Sequence, residues 1–297
     1  MATLRDIRRR IGAVSNTAKI TQAMRMVSAA KLRRAQEAIW SARPYVKKMN
    51  EVLTNLVSAV GEDYSHPLIN KKNPQNYTLI VISAERGLCG SFNSNLYRFT
   101  KNYINDEILK ENSEANISII PVGKRSCQFF AKENYRVIKE FSGIFQKLDY
   151  LQSKQIVEFA SKLFIEGHTD KIIVIFNEFV NLIKQVPNVI QLLPIEHSKE
   201  KEIEVKQKYN LDYIFEPAKH LILDNLLPKN LEIQLWRTLL ESNAAEQAAR
   251  MMAMENATTN AQELIKHLEL VFNKARQASI TKEMLEIVSG AEALKKA

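Results

Sequence analysis

Glycine and proline are scarce in this chain, with eight of each among 297 residues. A chain this poor in both, yet rich in Ala, Leu, Glu, Lys and Met, is expected to be strongly helical. Cysteine is scarcer still. Cys89 and Cys127 make no CxxC pair and lie near no histidine cluster, which excludes a disulfide scaffold and a thiolate zinc site and reads as two reduced thiols in a reducing compartment. The five histidines, at 66, 168, 197, 220 and 267, are scattered and none falls in HExxH spacing, so no metal is expected. No apolar run approaches the roughly 18 residues that a membrane-spanning helix requires. The N-terminus lacks the apolar segment of a secretory signal. The expectation is a soluble protein of a bacterial-type cytoplasm that reaches a membrane only through partners.

What the chain does have is helix formers and positive charge. The formal net charge is +9, and the first fifty residues carry twelve Lys or Arg against only Asp6 and Glu37. Such a balance favours nucleic acid, anionic lipid or an acidic protein surface. Arg8, Arg9 and Arg10, with Lys31, Arg33 and Arg34, are candidate phosphate contacts for a nucleic-acid-binding basic coiled coil. That alternative lacks an adjoining zipper and any helix-turn-helix spacing.

Three regions follow from hydrophobic periodicity. In residues 1–60, Leu4, Ile7, Ile11 and Val14 recur at spacings of three and four. Ile20, Met24, Val27, Leu32, Ala35 and Ile39 resume the pattern after a phase shift near Ala18. Pro44 should kink or briefly break this helix. In residues 75–200 the period changes. Short apolar runs at 77–83, 117–122, 171–176 and 189–195 alternate with helix-like stretches at 94–110, 124–133 and 148–166, which predicts an α/β layer on a mostly parallel sheet. The charged stretch 196–208 reads as a solvated loop. In residues 210–297, Lys229–Ser289 contains neither glycine nor proline. There Ala261, Leu264, Leu268, Val271, Ala275, Ala278, Leu285 and Val288 hold a heptad-like spacing, the mark of a coiled coil. Pairing the two terminal helices antiparallel buries both stripes. The seam is rich in alanine and thin, so it should need an outer protein sleeve.

No catalytic motif emerges. The loop Ser83–Asn93 stands between a strand and a helix, where phosphate-binding loops sit, but it has only Gly87 and Gly90 and is not GxGxxG. Gly123-Lys124 is followed by Arg125, and Ser118 stands where a Walker A motif needs its first glycine. The bland reading, a tight strand-to-helix turn, is preferred. No GxSxG element appears. No cofactor is expected.

Three segments carry a family resemblance: Ile7–Lys31 (IRRRIGAVSNTAKITQAMRMVSAAK), Glu246–Asn260 (EQAARMMAMENATTN) and Asn273–Gly290 (NKARQASITKEMLEIVSG). With the central loop Glu85–Gly90 (ERGLCG), they resemble the gamma subunit family of F-type ATP synthases, in order and near both termini. Because the match starts almost at Met1, the Arg-rich N-terminus is not read as a transit peptide. The resemblance implies a bent antiparallel coiled coil of the N- and C-terminal helices plus a central Rossmann-like α/β domain. It implies a non-catalytic rotor shaft inside a ring of alpha and beta subunits, with the nucleotide chemistry on beta. The α/β domain would lie against the epsilon subunit and the c-subunit ring, peripheral to the cytoplasmic face of a bacterial membrane. It further implies beta-subunit contacts at Lys19, Met24, Arg25, Arg250 and Gln277, and c-ring contacts at Tyr213 and Glu216. No nucleic-acid partner is implied.

Overall fold

A computed structural model describes residues 3–60, 66–69, 73–195, 216 and 218–296. The order of elements is α1 (Leu4–Val60), β1 (Asn76–Ile82), α2 (Phe92–Tyr103), β2 (Asn116–Val122), α3 (Lys124–Phe130), β3 (Arg136–Val137), α4 (Tyr150–Ile165), β4 (Lys171–Phe179), β5 (Gln185–Leu193) and α5 (Lys219–Lys296). Helix α2 continues through a π turn at Ile104–Ile108 into Leu109–Glu111. By contact density the chain divides into two compact units, Met1–Ser28 with Met251–Ala297, and Ala29–Arg250.

In the first unit α1 and α5 pair antiparallel. Thr21 shares a hydrogen bond of 2.7 Å with Thr258, Arg25 meets Glu255 at 3.0 Å, and the Arg8 guanidinium lies 5.3 Å from the Phe272 ring centre. The expected phase shift near Ala18 does not occur. The inward positions are Ile7, Ile11, Val14, Ala18, Thr21, Arg25 and Ser28, spaced alternately by four and three, an unbroken heptad. Ile20 and Val27, assigned to the stripe from their apolarity, are 61% and 56% exposed. The seam instead uses small and hydroxyl side chains, and Thr21 and Ser28 are buried. On α5 the facing set is Met254, Thr258, Ala261, Ile265, Leu268, Phe272, Ala275 and Ser279. Ala261, Leu268 and Ala275 fall as expected, but every second position is shifted by one: Leu264 and Val271 are exposed, while Ile265 and Phe272 are partly buried.

The second unit is a five-stranded sheet ordered β3-β2-β1-β4-β5. β1 runs parallel to β2 and β4, β2 parallel to β3, and β5 closes the edge antiparallel to β4. The near-continuous apolar run of β1 is explained by burial on both faces. Ile80 and Ile82 face a core completed by Ile156, Ala160 and Phe164 of α4. Leu53 and Leu56 of α1 and Leu223, Leu227, Leu231, Leu235 and Leu239 of α5 complete the same core. Leu79 and Val81 face the other way, onto Leu96, Ile104, Ile108 and Phe130. Five leucines at spacing four make one stripe on α5, so this stretch of helix forms a layer of the α/β unit. Asp149 and Gln152 form a capping box that starts α4.

Helix α1 is not broken at Pro44. Pro44 and Trp40, one turn back, are both exposed, so the helical hydrogen bond that proline removes is lost on an exposed stretch of the helix. Pro228 is likewise inside α5, which begins ten residues before the proline-free run Lys229–Ser289. The two-residue strand β3 was not expected, being too short to show a period.

Candidate functional site

The loop after β1 is fastened from three sides. Ser83 accepts a hydrogen bond from the Ser126 amide at 2.7 Å, and Glu85 accepts one from the Lys124 amide at 2.6 Å. The Ala84 amide donates to Asn93 at 3.1 Å. These bonds tie the end of β1 to the starts of α2 and α3. Gly123 makes the arrangement possible. Its φ is +92° and a Cβ there would stand 2.4 Å from the Ser83 carbonyl oxygen, so only glycine fits. The turn itself places Leu88 at φ 64° and Gly90 at φ 59°. A leucine in the left-handed region is uncommon and costs on the order of 1 kcal/mol, which the surrounding contacts must offset.

The third fastening comes from α5. Arg250 is buried and donates to the carbonyls of Gly87 and Arg86 and to the Glu246 carboxylate one turn earlier on its own helix. The Arg250–Glu246 ion pair is 2.5 Å long with both side chains at or below 10% exposure. Burial pushes the Glu246 carboxyl up, while the neighbouring guanidinium pulls it back down. Ala245 packs with Ala84, Cys89 and Phe92 beneath the same loop. Burial also raises both thiols, Cys127 to about 11, so neither is a nucleophile near neutral pH.

Beside the loop lies a cleft of about 440 Å³, bounded by Gly87–Gly90, α2 and α3. Among the described residues no group of histidine, cysteine, aspartate or glutamate could hold a metal ion, and no described helix is long and apolar enough to cross a membrane.

The described residues singled out from sequence fall in both units. Lys19 and Gln277 are exposed and Met24 is half-buried. Arg25 is engaged with Glu255, and Arg250 is turned inward. Glu216 is exposed, and Tyr213 lies outside the described residues. What sequence reasoning missed is the Glu246–Arg250 clasp on the loop. Its only local signal is the i,i+4 spacing of opposite charges, and that pattern recurs on any charged helix.

The ATP synthase family model matches residues 3–294. The ATP synthase gamma chain of Chlorobium phaeobacteroides is 45% identical over 295 residues, covering 99% of this chain and all of that one. The chain belongs to the ATP synthase gamma-chain family. Solved relatives share the fold. The central stalk and c-ring structure of the Tetrahymena thermophila mitochondrial ATP synthase matches with a TM-score of 0.59 at 26% identity, over 80% of this chain and 99% of that one. A chain of the Euglena gracilis mitochondrial enzyme matches with a TM-score of 0.64 at 18% identity, over 98% of this chain and 94% of that one. For this gamma-family chain, both the antiparallel pairing of the terminal helices and the α/β sheet stand as expected from sequence.

Proposed function

We propose that the chain is the central rotor shaft of an F-type ATP synthase, turned by a c-subunit ring and turning within a ring of alpha and beta subunits. One observation carries this reading beyond family membership. Both helices carry large exposed apolar side chains: Ile20, Met26 and Val27 on α1, and Ile280, Met284, Leu285, Ile287 and Val288 on α5, all at least 49% exposed. Apolar surface on this scale calls for a partner, and a sleeve of other subunits supplies one. A shaft with a different face on each side stabilises a different conformation of each surrounding subunit, so rotation changes their populations in turn.

In this reading the chain itself is not catalytic and binds no cofactor. Residues 1–60 and 210–297 act as the shaft, and 75–200 as the domain that meets epsilon and the c-ring. Lys19, Met24, Arg25 and Gln277 contact beta, where a basic helix suits an acidic loop. Arg250, which is engaged inward in this chain, is assigned with Gln277 to a hydrogen-bonding contact with a loop of beta, and Tyr213 and Glu216 meet the c-ring. The complex is placed at the cytoplasmic face of a bacterial membrane, with this subunit peripheral to it.

The test is co-purification of the tagged chain with alpha and beta subunits, followed by coupled ATP synthesis. Wild type should assemble, and Ala275→Pro, which breaks α5 inside the pair, should abolish coupling. Intact coupling in that variant would defeat the shaft reading. Recovery of the chain alone, with salt-sensitive binding to duplex DNA, would favour the basic coiled-coil alternative.

A further inference from the structure

We propose that the cleft between the β1–α2 loop and α3 binds a small phosphate-bearing anion, held by Arg125 and Lys132. The cleft lies at the carboxyl ends of the parallel strands β1 and β2 and has about 440 Å³ of space, a position where α/β sheets take ligands. None of the described residues lining it is acidic, whereas Arg125 and Lys132 both are basic. Neither of these two has a carboxylate partner among the described residues. Of the acids on that side, Glu133 is already paired with Lys101 at 2.8 Å, and Glu85 accepts from the Lys124 amide at 2.6 Å.

The polar groups around these cations are suited to a phosphate. The Arg125 guanidinium lies directly over Gly87, where a Cβ would meet it at 2.7 Å. Glycine therefore leaves room for the planar fork, whose geometry matches phosphate oxygens. Gln128 touches Arg125 at 3.4 Å and steadies it. Tyr97 also lines the cleft, its hydroxyl buried beside Ser83 and kept protonated by that burial, which pushes it up to about 12. Leu88, held at φ 64° on the rim, adds local strain of the kind that gathers at ligand sites. The loop thus has two neighbours: Arg250 of α5 grips its carbonyls, and the anion would sit against its other side.

Calorimetric titration of the full-length chain at low salt tests this, with sodium pyrophosphate as the probe and inorganic phosphate and ADP in parallel. Saturable 1:1 binding of pyrophosphate is expected, weakened about tenfold by Arg125→Gln and by Lys132→Gln, the loss of one charge-assisted contact each. Lys132 is exposed beyond the end of α3, so its variant remains informative should Arg125→Gln fold poorly. Arg98→Gln, on the exposed face of α2 outside the cleft, should bind as wild type does. Tighter binding of ADP than of pyrophosphate would assign the site to nucleotides, and equal binding to the phosphate groups alone. Absence of binding at millimolar pyrophosphate would overturn the proposal, as would an equal loss in Arg98→Gln, which would mean diffuse attraction to a basic surface.

Discussion

Arg250 donates to the backbone carbonyl of Gly87, 163 residues away in sequence. One buried side chain thereby joins the longest helix of the chain to the loop that ends the first strand of its sheet. The guanidinium also pairs with Glu246, so each of these two buried charges faces its opposite. Removing either partner alone strands the other without compensation.

Arg250→Met should therefore lower unfolding stability by about 3 kcal/mol. Glu246→Leu/Arg250→Met should recover part of that loss, since no unpaired charge then remains. Urea denaturation of the full chain measures both. The deficit of the single variant should grow with pH. Burial already raises the folded-state Glu246 carboxyl above its ordinary 4.5, and without Arg250 only the hydrogen bond from the Glu85 backbone still opposes that rise. The folded state then holds a proton that the unfolded state releases, so stability present below about pH 4.5 is lost as pH climbs through the folded value. A pH-independent deficit would show that Glu246 is not buried as described.

The helix pair offers a test of register. Leu268 is 7% exposed and Leu264 is 38% exposed. Leu268→Ala should cost about 2–3 kcal/mol, whereas Leu264→Ala should stay below about 1 kcal/mol. Reversed costs, read by thermal melting, would restore the heptad frame drawn from apolarity.

Two glycines in the left-handed region should respond differently to alanine. At Gly123, with φ +92° and a backbone oxygen 2.4 Å from the added carbon, Gly123→Ala should cost more than about 3 kcal/mol or prevent folding, since strain and collision add. At Gly167, with φ +78° and nothing within 4 Å, Gly167→Ala should cost about 1–2 kcal/mol from backbone strain alone. Equal effects in a denaturation assay would contradict the close approach of β1 and β2 at Ser83.

The thiols should be silent in the folded chain. Cys127 is buried and raised to about 11, so alkylation by iodoacetamide at pH 8 should be at least tenfold slower than in urea. Mass spectrometry of the labelled peptides reads this directly. Fast labelling of native Cys127 would mean that the sheet opens at α3.

Long-period features were legible in the residues because each rests on many positions at once. Lys229–Ser289 lacks any helix breaker, and the apolar runs within β1, β2 and β4 have the length and flanks of buried strands. The phase of the seam was not legible. Thr21 and Ser28 are polar in composition yet buried, and Ile20 and Val27 are apolar yet exposed, because a close helix pair selects small side chains and leaves larger ones for partners. The Arg250 clasp was equally hidden. Opposite charges one turn apart look the same on a solvated face as under a loop.

The amino-acid sequence alone determined the helical ends, the alternating strands and helices between them, and the family. Those depend on local propensity and on periodicity that survives without neighbours. Only the tertiary structure decided which face of each helix points inward, that α5 lends its five-leucine stripe to the sheet, and that Arg250 closes on Gly87. Such choices are settled by which groups become buried together, and burial is a property of the folded chain rather than of any segment within it.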